Sequence, residues 1–409
     1  MIGLMIAVAG IGDAQTTRST QFLSKIGIKD SIYSRTLDAY RTFYIAFPAD
    51  YGTSQNKQYP VAFVLDGEML LPTLHEVQRY YSGGFTPEMI LVGIDNSKHR
   101  VRDLTISSIT EKYGMPFHVE SGGADKFSDF IEEELIPHIE NAYPVTGYRT
   151  LIGHSYGGLF AVYTLLQKPE LFANYLAIDP SLDWNDQEIL AEARDALAGK
   201  MYTGKSLFMS LSGQLHLQNS DITIDNVMQD QSDFTLFARS NLALKEMIEQ
   251  DDHHGLTFHW QFYPDDLHGT IAFPSMMDGL IRLFQWYQME NTDKINDFDT
   301  PQDALYDVVK HREQKLRAHF GYPEPPYPEE LLNFMGHMNL EMGQPAKAKM
   351  YFEFGIQYYP QSANAYDSLA EYYEVQGDTA KALELVRQAA KLSDDRYFQE
   401  RIRALRKKE

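Results

Sequence analysis

The sequence predicts an α/β fold, a mostly parallel sheet with helices on both faces, followed by an all-α segment. Three observations predict it. Short continuous apolar runs alternate with helical spacings as far as about residue 290. One of these runs passes through a Gly-rich turn straight into an apolar helix. From about residue 292 the strand signals stop, and a 34-residue internal period takes over. A chain of 409 residues makes two domains the default.

Taken in order, the chain opens with Ile2-Gly-Leu-Met-Ile-Ala-Val-Ala-Gly-Ile-Gly12, an apolar run of signal-peptide length. Gly12-Asp13-Ala14 puts small residues where a signal peptidase reads. Residues 1–14 are therefore expected to be a secretory signal, which implies a periplasmic or secreted protein. No Lys or Arg precedes Arg18, which leaves the cytoplasm open. Strands are predicted at Arg41–Pro48, Tyr59–Asp66, Met89–Asp95, Arg149–His154, Asn174–Asp179, Ser206–Ser212 and Leu256–Tyr263. Helices are predicted at 124–142, 159–166, 186–198, about 234–250 and 272–290. Together these bound a sheet domain at 20–291. In such sheets chemistry sits at the carboxyl ends of the strands.

The all-α segment starts with a predicted helix over 303–320 and a stiff break, Gly321-Tyr-Pro-Glu-Pro-Pro-Tyr-Pro328, giving a helical linker at 292–328. Two repeats follow at 329–398. Leu332, Met335, Gly336, Asn339, Gly343, Ala348, Phe352 and Gly355 map onto Tyr366, Leu369, Ala370, Tyr373, Gly377, Ala382, Val386 and Ala389. Small residues fall where two helices of a hairpin touch, and Gly falls at the turn, the spacing of tetratricopeptide repeats. Two repeats are few for independent stability, so they are expected to pack on the 303–320 helix.

Gly153-His154-Ser155-Tyr156-Gly157 is a G-x-S-x-G pentapeptide between a predicted buried strand and a predicted buried helix. That context makes it the nucleophile elbow of an α/β-hydrolase. Serine is a poor nucleophile until a base touches it. In this fold the chain order is Ser, acid, His. Among 13 histidines, His268 stands directly after the last strand, where the base belongs. The acid is expected in the long loop after Ser212, which offers Asp221, Asp225, Asp230 and Asp233; a Ser-His dyad is the alternative. The oxyanion donors are expected to be the backbone amides of Tyr156 and of Gly67 or Glu68. Arg100-Val-Arg-Asp103 offers guanidinium forks, with Arg102 a candidate for a substrate carboxylate or phosphate, or else a structural Arg-Asp pair. Trp184 is a candidate wall of the substrate pocket, or else a core ring.

Composition excludes other chemistry. The net charge of −21 disfavours nucleic acid and anionic membrane surfaces. Residues 301–409 carry 15 Lys/Arg and 17 Asp/Glu, so nearly all of that charge lies on the sheet domain. No apolar run is long enough to span a membrane. Zero cysteines remove disulfides, thiol catalysis and thiolate metal sites. His253, His254 and His259 lack a carboxylate-histidine metal pattern. No metal and no organic cofactor is implied.

Residues 30–290 resemble the family of esterase D-like and ferric enterobactin esterase-like α/β-hydrolases. The resemblance rests on Val64-Leu-Asp-Gly-Glu68, Arg100-Val-Arg-Asp-Leu-Thr105, Ser121-Gly-Gly-Ala-Asp-Lys-Phe127, Gly153-His-Ser-Tyr-Gly-Gly158, Pro180-Ser-Leu-Asp-Trp184 and Pro264-Asp-Asp-Leu-His-Gly269. It is greatest to the enterobactin-esterase-like branch with C-terminal tetratricopeptide repeats. It implies a serine carboxylic-ester hydrolase on siderophore lactones or acylated sugars. It also favours Asp233 as the acid, because Ser232–Asn241 resembles the segment that carries the family's acid, with Asp230 second. The chain lacks the acid that many members carry immediately after the position of Gly213. A small-molecule ester is the expected partner, and the repeats suggest a protein partner. Two other readings use the same residues differently: an inactive hydrolase fold serving a repeat-based scaffold, and an acyltransferase.

Overall fold

The structure is a computed structural model that describes residues 25–52, 57–216 and 218–408. The expected signal at 1–14 lies outside the described residues. β1 (Gly27–Ser34) and β2 (Ala39–Ala46) form an antiparallel hairpin at one edge of the sheet. β3 (Tyr59–Val64) leads into α1 (Gly67–Tyr81), and β4 (Ile90–Ile94) into the short α2 (Arg100–Leu104). A small hairpin of β5 (Glu111–Lys112) and β6 (Met115–Pro116) follows. α3 (Ala124–Phe130), a π-helical turn over Ile131–Leu135 and α4 (Ile136–Ala142) form one helical stretch. Next come β7 (Val145–His154), α5 (Tyr156–Gln167), β8 (Asn174–Ile178), α6 (Trp184–Gly199) and β9 (Ser206–Ser212). α7 (Leu236–Gln250), β10 (Thr257–Tyr263) and α8 (Ala272–Leu283) complete the α/β part.

The eight strands of the main sheet lie in the order β1-β2-β4-β3-β7-β8-β9-β10. β2 runs antiparallel to both neighbours, and all other pairings are parallel. The continuous apolar runs have a direct cause. Strand side chains alternate between faces, and here both faces are covered. Phe63, Leu151, Tyr175 and Ala177 face one core with Phe127, Phe160 and Trp184. Val64, Ile152, Leu176 and Ile178 face the other with Leu71, Leu74, Met276 and Leu280. Every residue of β3, β4 and β8 is buried. The fold is thus the expected α/β-hydrolase architecture.

Among the elements not read from the sequence are α1 and β1. α1 interrupts its apolar stripe of Leu70, Leu71, Leu74 and Val77 with Pro72. β1 is a half-exposed edge strand with little apolar patterning. The helix expected over 272–290 ends at Leu283, and a single 3₁₀ turn over Gln285–Tyr287 follows. There Phe284 and Trp286 turn onto Tyr148 of β7.

The remaining helices are α9 (Thr292–Asn296), α10 (Gln302–Phe320), α11 (Glu329–Glu341), α12 (Pro345–Tyr358), α13 (Ala363–Val375), α14 (Thr379–Leu392) and α15 (Arg396–Arg406). α11 pairs with α12 and α13 with α14. α15 lays Phe398, Ile402 and Leu405 onto the apolar cluster of Ala382, Leu383 and Val386, which covers the face the last hairpin would otherwise expose. α10 ties the helical part to the α/β core. Leu316 and Phe320 of α10 join the cluster of α8, and Trp286 stacks on His319 at 4.1 Å. The buried Arg312 fastens the joint by donating to the carbonyls of Pro326 (2.6 Å) and Gln288 (3.2 Å).

Candidate active site

Ser155 sits between β7 and α5 with φ 61° and ψ −117°. This is a region a side chain rarely occupies, and such strain persists only where the surroundings enforce it. Here Ser155 N donates to Ile178 O of β8 (3.0 Å), and its carbonyl accepts from Leu159 N. The turn demands a glycine at 153, because a Cβ there would lie 2.1 Å from Gly157 O. The strain holds the Ser155 hydroxyl at the carboxyl edge of the sheet.

His268 arrives from the loop after β10, and its Nε2 lies 3.0 Å from Ser155 Oγ. Its Nδ1 lies 2.7 Å from Oδ2 of Asp179, a fully buried carboxylate in the turn after β8. Asp179 Oδ1 accepts from Ser212 N at the end of β9 (2.9 Å). The carboxylate therefore requires the Nδ1–H tautomer, which leaves Nε2 to accept from Ser155.

The acid expected at Asp233 is corrected to Asp179. Asp233 is exposed and opens the 3₁₀ turn before α7, and Asp221 and Asp225 are exposed too. Asp230 accepts from Ser232 and Thr235 instead. The reason is the position of the strands. β8 lies directly beside β7, so its end is one inter-strand spacing from the nucleophile, and the loop after β9 is farther away. The sequence carried a signal: Asp179 ends an apolar run on the reactive edge and also obeys the Ser, acid, His order.

Three groups fix the His268 loop. His154 Nε2 donates to His268 O (2.8 Å), with the two rings 4.7 Å apart. Burial, and then the neighbouring His268, push His154 down to about 4, so it stays neutral as a structural donor. Gln214 Oε1 accepts from His268 N (3.1 Å). Phe237 stands edge-on to the imidazole at 5.3 Å.

The two amides expected to hold an oxyanion belong to Gly67 and Tyr156, the first residues of α1 and α5. First-turn amides have no intrahelical acceptor and sit at the positive end of the helix dipole. The two helix starts adjoin, since a Cβ on Gly157 would lie 3.4 Å from Leu65 Cβ. Gly67 must be glycine, because a Cβ would meet the Gly93 backbone at 2.3 Å. Arg100 bridges the two turns. It is bidentate to Asp66 (2.8 and 2.9 Å), which precedes Gly67, and donates to the carbonyl of His154 (3.1 Å), which precedes Ser155. Glu68, whose amide is the other candidate, follows Gly67 in the first turn of α1. Its carboxylate accepts from Asn96 N, and burial raises its pKa.

Comparison with known proteins matches this geometry to a family. The sequence profile of the family described as Putative esterase matches residues 34–260, more than half of the chain. The chain belongs to this esterase family. Among curated relatives, the ferri-bacillibactin esterase BesA of Bacillus subtilis is 38% identical over 149 residues, 32% of this chain and 51% of that protein. The siderophore enterobactin esterase of Emericella nidulans is 33% identical over 184 residues, 42% of this chain and 59% of that protein. The chain thus spans about half to three fifths of the length of these two curated relatives. An IroE-like serine hydrolase from Shewanella oneidensis superposes with a TM-score of 0.64 at 26% identity, covering 81% of this chain and 99% of that one.

Of the two readings the sequence offered for Arg102 and for Trp184, substrate contact or structural role, the structure shows the structural one. Arg102 binds Asp103 through Nε (2.9 Å) and Nη2 (2.8 Å), and that buried carboxylate also pairs with Arg41 (2.6 Å). This is the structural Arg-Asp pair, and the remaining Nη1 of Arg102 faces the exposed Glu120 at 3.9 Å. Trp184 is fully buried, donates to Ser107 O (3.1 Å) and supports Tyr156 edge-to-face. Lys112 of the small hairpin lies 5.3 Å from the Tyr156 and Trp184 centroids and 3.3 Å from buried Asp183, which Tyr113 also contacts. Ser181, which touches Ser155, is a site residue the sequence reading did not single out, and Arg100 entered it only as a guanidinium fork of the Arg100–Asp103 motif. Among the described residues, the one cluster with metal-binding spacing is exposed Asp251, Asp252 and His253.

Proposed function

We propose that this protein is a serine carboxylic-ester hydrolase that works through an acyl-enzyme on Ser155, with siderophore esters as its substrate class. One observation carries the reading: the continuous hydrogen-bond chain Ser155–His268–Asp179 at a strained elbow. His268 takes the Ser155 proton as Oγ attacks the ester carbonyl, then gives it to the leaving alcohol. Asp179 holds the required tautomer and stabilises the imidazolium. The Tyr156 and Gly67 amides face the oxygen on which charge develops. Water then enters, loses a proton to His268 and releases the acid. The siderophore class is supported by the curated relatives, whose names describe esterases of siderophores.

Labelling with a fluorescent fluorophosphonate, wild type beside Ser155→Ala and His268→Ala, tests the chemistry. Both variants are expected to lose the label. Full labelling of Ser155→Ala would overturn the mechanism. Incubation with a tris-catecholate lactone and mass analysis of the products tests the class: ring-opened fragments are expected, and intact lactone beside cleaved simple esters would remove it.

A further inference from the structure

We infer that Ser181 is a positioning residue for the nucleophile that acts chiefly when the acyl-enzyme breaks down. The inference rests on the proposed acyl-enzyme chemistry. Ser181 Oγ lies 3.2 Å from Ser155 Oγ, and Ser181 N donates to Ser155 O (3.1 Å). Its side chain is 4% exposed. The direction of the hydroxyl contact follows from proton counting. Asp179 fixes the proton on His268 Nδ1, so the single Ser155 hydroxyl proton goes to Nε2. Ser155 Oγ can then only accept from Ser181, so Ser181 is the donor.

The turn that presents Ser181 is the turn that presents the acid. Asp179, Pro180 and Ser181 leave β8 together, and buried Asn241 of α7 pins the turn by donating to Pro180 O (2.9 Å). One three-residue turn thus grips both ends of the relay: His268 through Asp179, and Ser155 through Ser181.

The consequence differs between the two half-reactions. During attack, a donor on Oγ draws electron density from the nucleophile and gives no help. During deacylation, water adds to the ester carbonyl after losing a proton to His268 Nε2. The tetrahedral adduct then collapses, the bond from carbon to Ser155 Oγ breaks and its electron pair returns to Oγ. The proton held on His268 moves to that oxygen, so water has supplied hydroxyl to the acid and hydrogen to the serine. A second donor already aimed at Oγ stabilises the charge as it returns there.

The test is stopped-flow hydrolysis of p-nitrophenyl acetate by the full chain, comparing wild type, Ser181→Ala, Ser181→Thr and Ser155→Ala. Active sites are counted with a fluorophosphonate. Ser181→Ala is expected to lower kcat per titrated site about tenfold, the scale of one hydrogen bond. Its acylation rate should change less than about twofold, so a p-nitrophenolate burst should appear or grow. Ser181→Thr keeps the hydroxyl and should restore turnover. Two results would overturn the inference: an unchanged kcat per titrated site, or equal losses in acylation and deacylation. Full fluorophosphonate labelling of Ser155→Ala would instead remove the acyl-enzyme reading beneath it.

Discussion

Oδ2 of Asp179 lies 2.7 Å from Nδ1 of His268, and the turn that carries it leaves the strand next to the nucleophile's own. The first prediction separates this carboxylate from the ones the sequence suggested. Asp179→Asn keeps the shape but favours the wrong imidazole tautomer, so kcat should fall by about 10³ to 10⁴. Asp233→Asn, at an exposed site, should stay within about twofold of wild type. Steady-state hydrolysis of a p-nitrophenyl ester measures both, and the opposite ranking would return the acid to the loop.

Arg100 and Arg102 are two residues apart and should respond differently. Arg100 fixes the backbones that aim the Gly67 and Tyr156 amides. Arg100→Met should lower kcat about 10- to 100-fold with little change in KM, since a loosened oxyanion site affects the transition state more than the ester. Arg102→Met should lower the melting temperature while the rate per folded site holds, because its partner is the buried Asp103. Kinetics normalised by fluorophosphonate titration, beside thermal melts, check the pair. A rate loss confined to Arg102→Met would reverse the two roles.

His154 gives a stability prediction with a defined sign. Its pKa falls from an ordinary 6.5 to about 4 on folding. Below 6.5 the unfolded chain therefore binds a proton that the folded chain refuses, and stability drops as pH falls toward 4. Between pH 6.5 and 5 this term removes about 2 kcal/mol. His154→Gln keeps an N–H donor for the His268 carbonyl and lacks the titration. Urea unfolding at pH 7.5 and 5.0 should show a smaller acid loss in the variant, and equal losses would contradict the assignment.

Glu324, in the segment between α10 and α11, gives the opposite sign. Burial pushes its pKa from 4.5 up to about 7. Its contribution is intact below pH 4.5 and is lost as pH rises to 7, because the unfolded carboxyl ionises first. With discounting for the solvent it still meets, Glu324→Gln should be more stable than wild type by about 2 kcal/mol at pH 8 and equal to it at pH 4. Urea midpoints at the two pH values measure this, and a variant less stable at pH 8 would contradict it.

Much of the sheet and two of the three relay residues were legible because strong local signals carried them. β3, β4 and β8 are buried on both faces throughout, and β7 and β9 over most of their length, so their apolar runs stand out. Ser155 and His268 occupy positions that chain order and strand ends define. Asp179 was hidden by its own strand: it reads as the polar end of a core run, while the loop after Ser212 displays four aspartates. Only the β7-β8 adjacency brings it to His268. The same is true of Arg100 and Arg102, which share a motif and differ in which carboxylate lies across from each. Partner identity is a property of the folded surface. Periodicity cannot encode it.

The placement of the acid before α6 has a consequence for variation in this chain. In a layout with the acid after β9, the following loop must preserve one carboxylate to within tenths of an ångström. Here residues 218–229 carry no such duty, since the two bonds that orient Asp179 come from Ser212 and His268. Their duty is packing instead: Val227 is buried against Leu211, Leu215 and Leu242, with Ile222 and Ile224 beside it. The geometry of proton transfer therefore rests on the ends of β7, β8, β9 and β10, and a change of length within 218–229 should leave the Ser155–His268–Asp179 spacing intact.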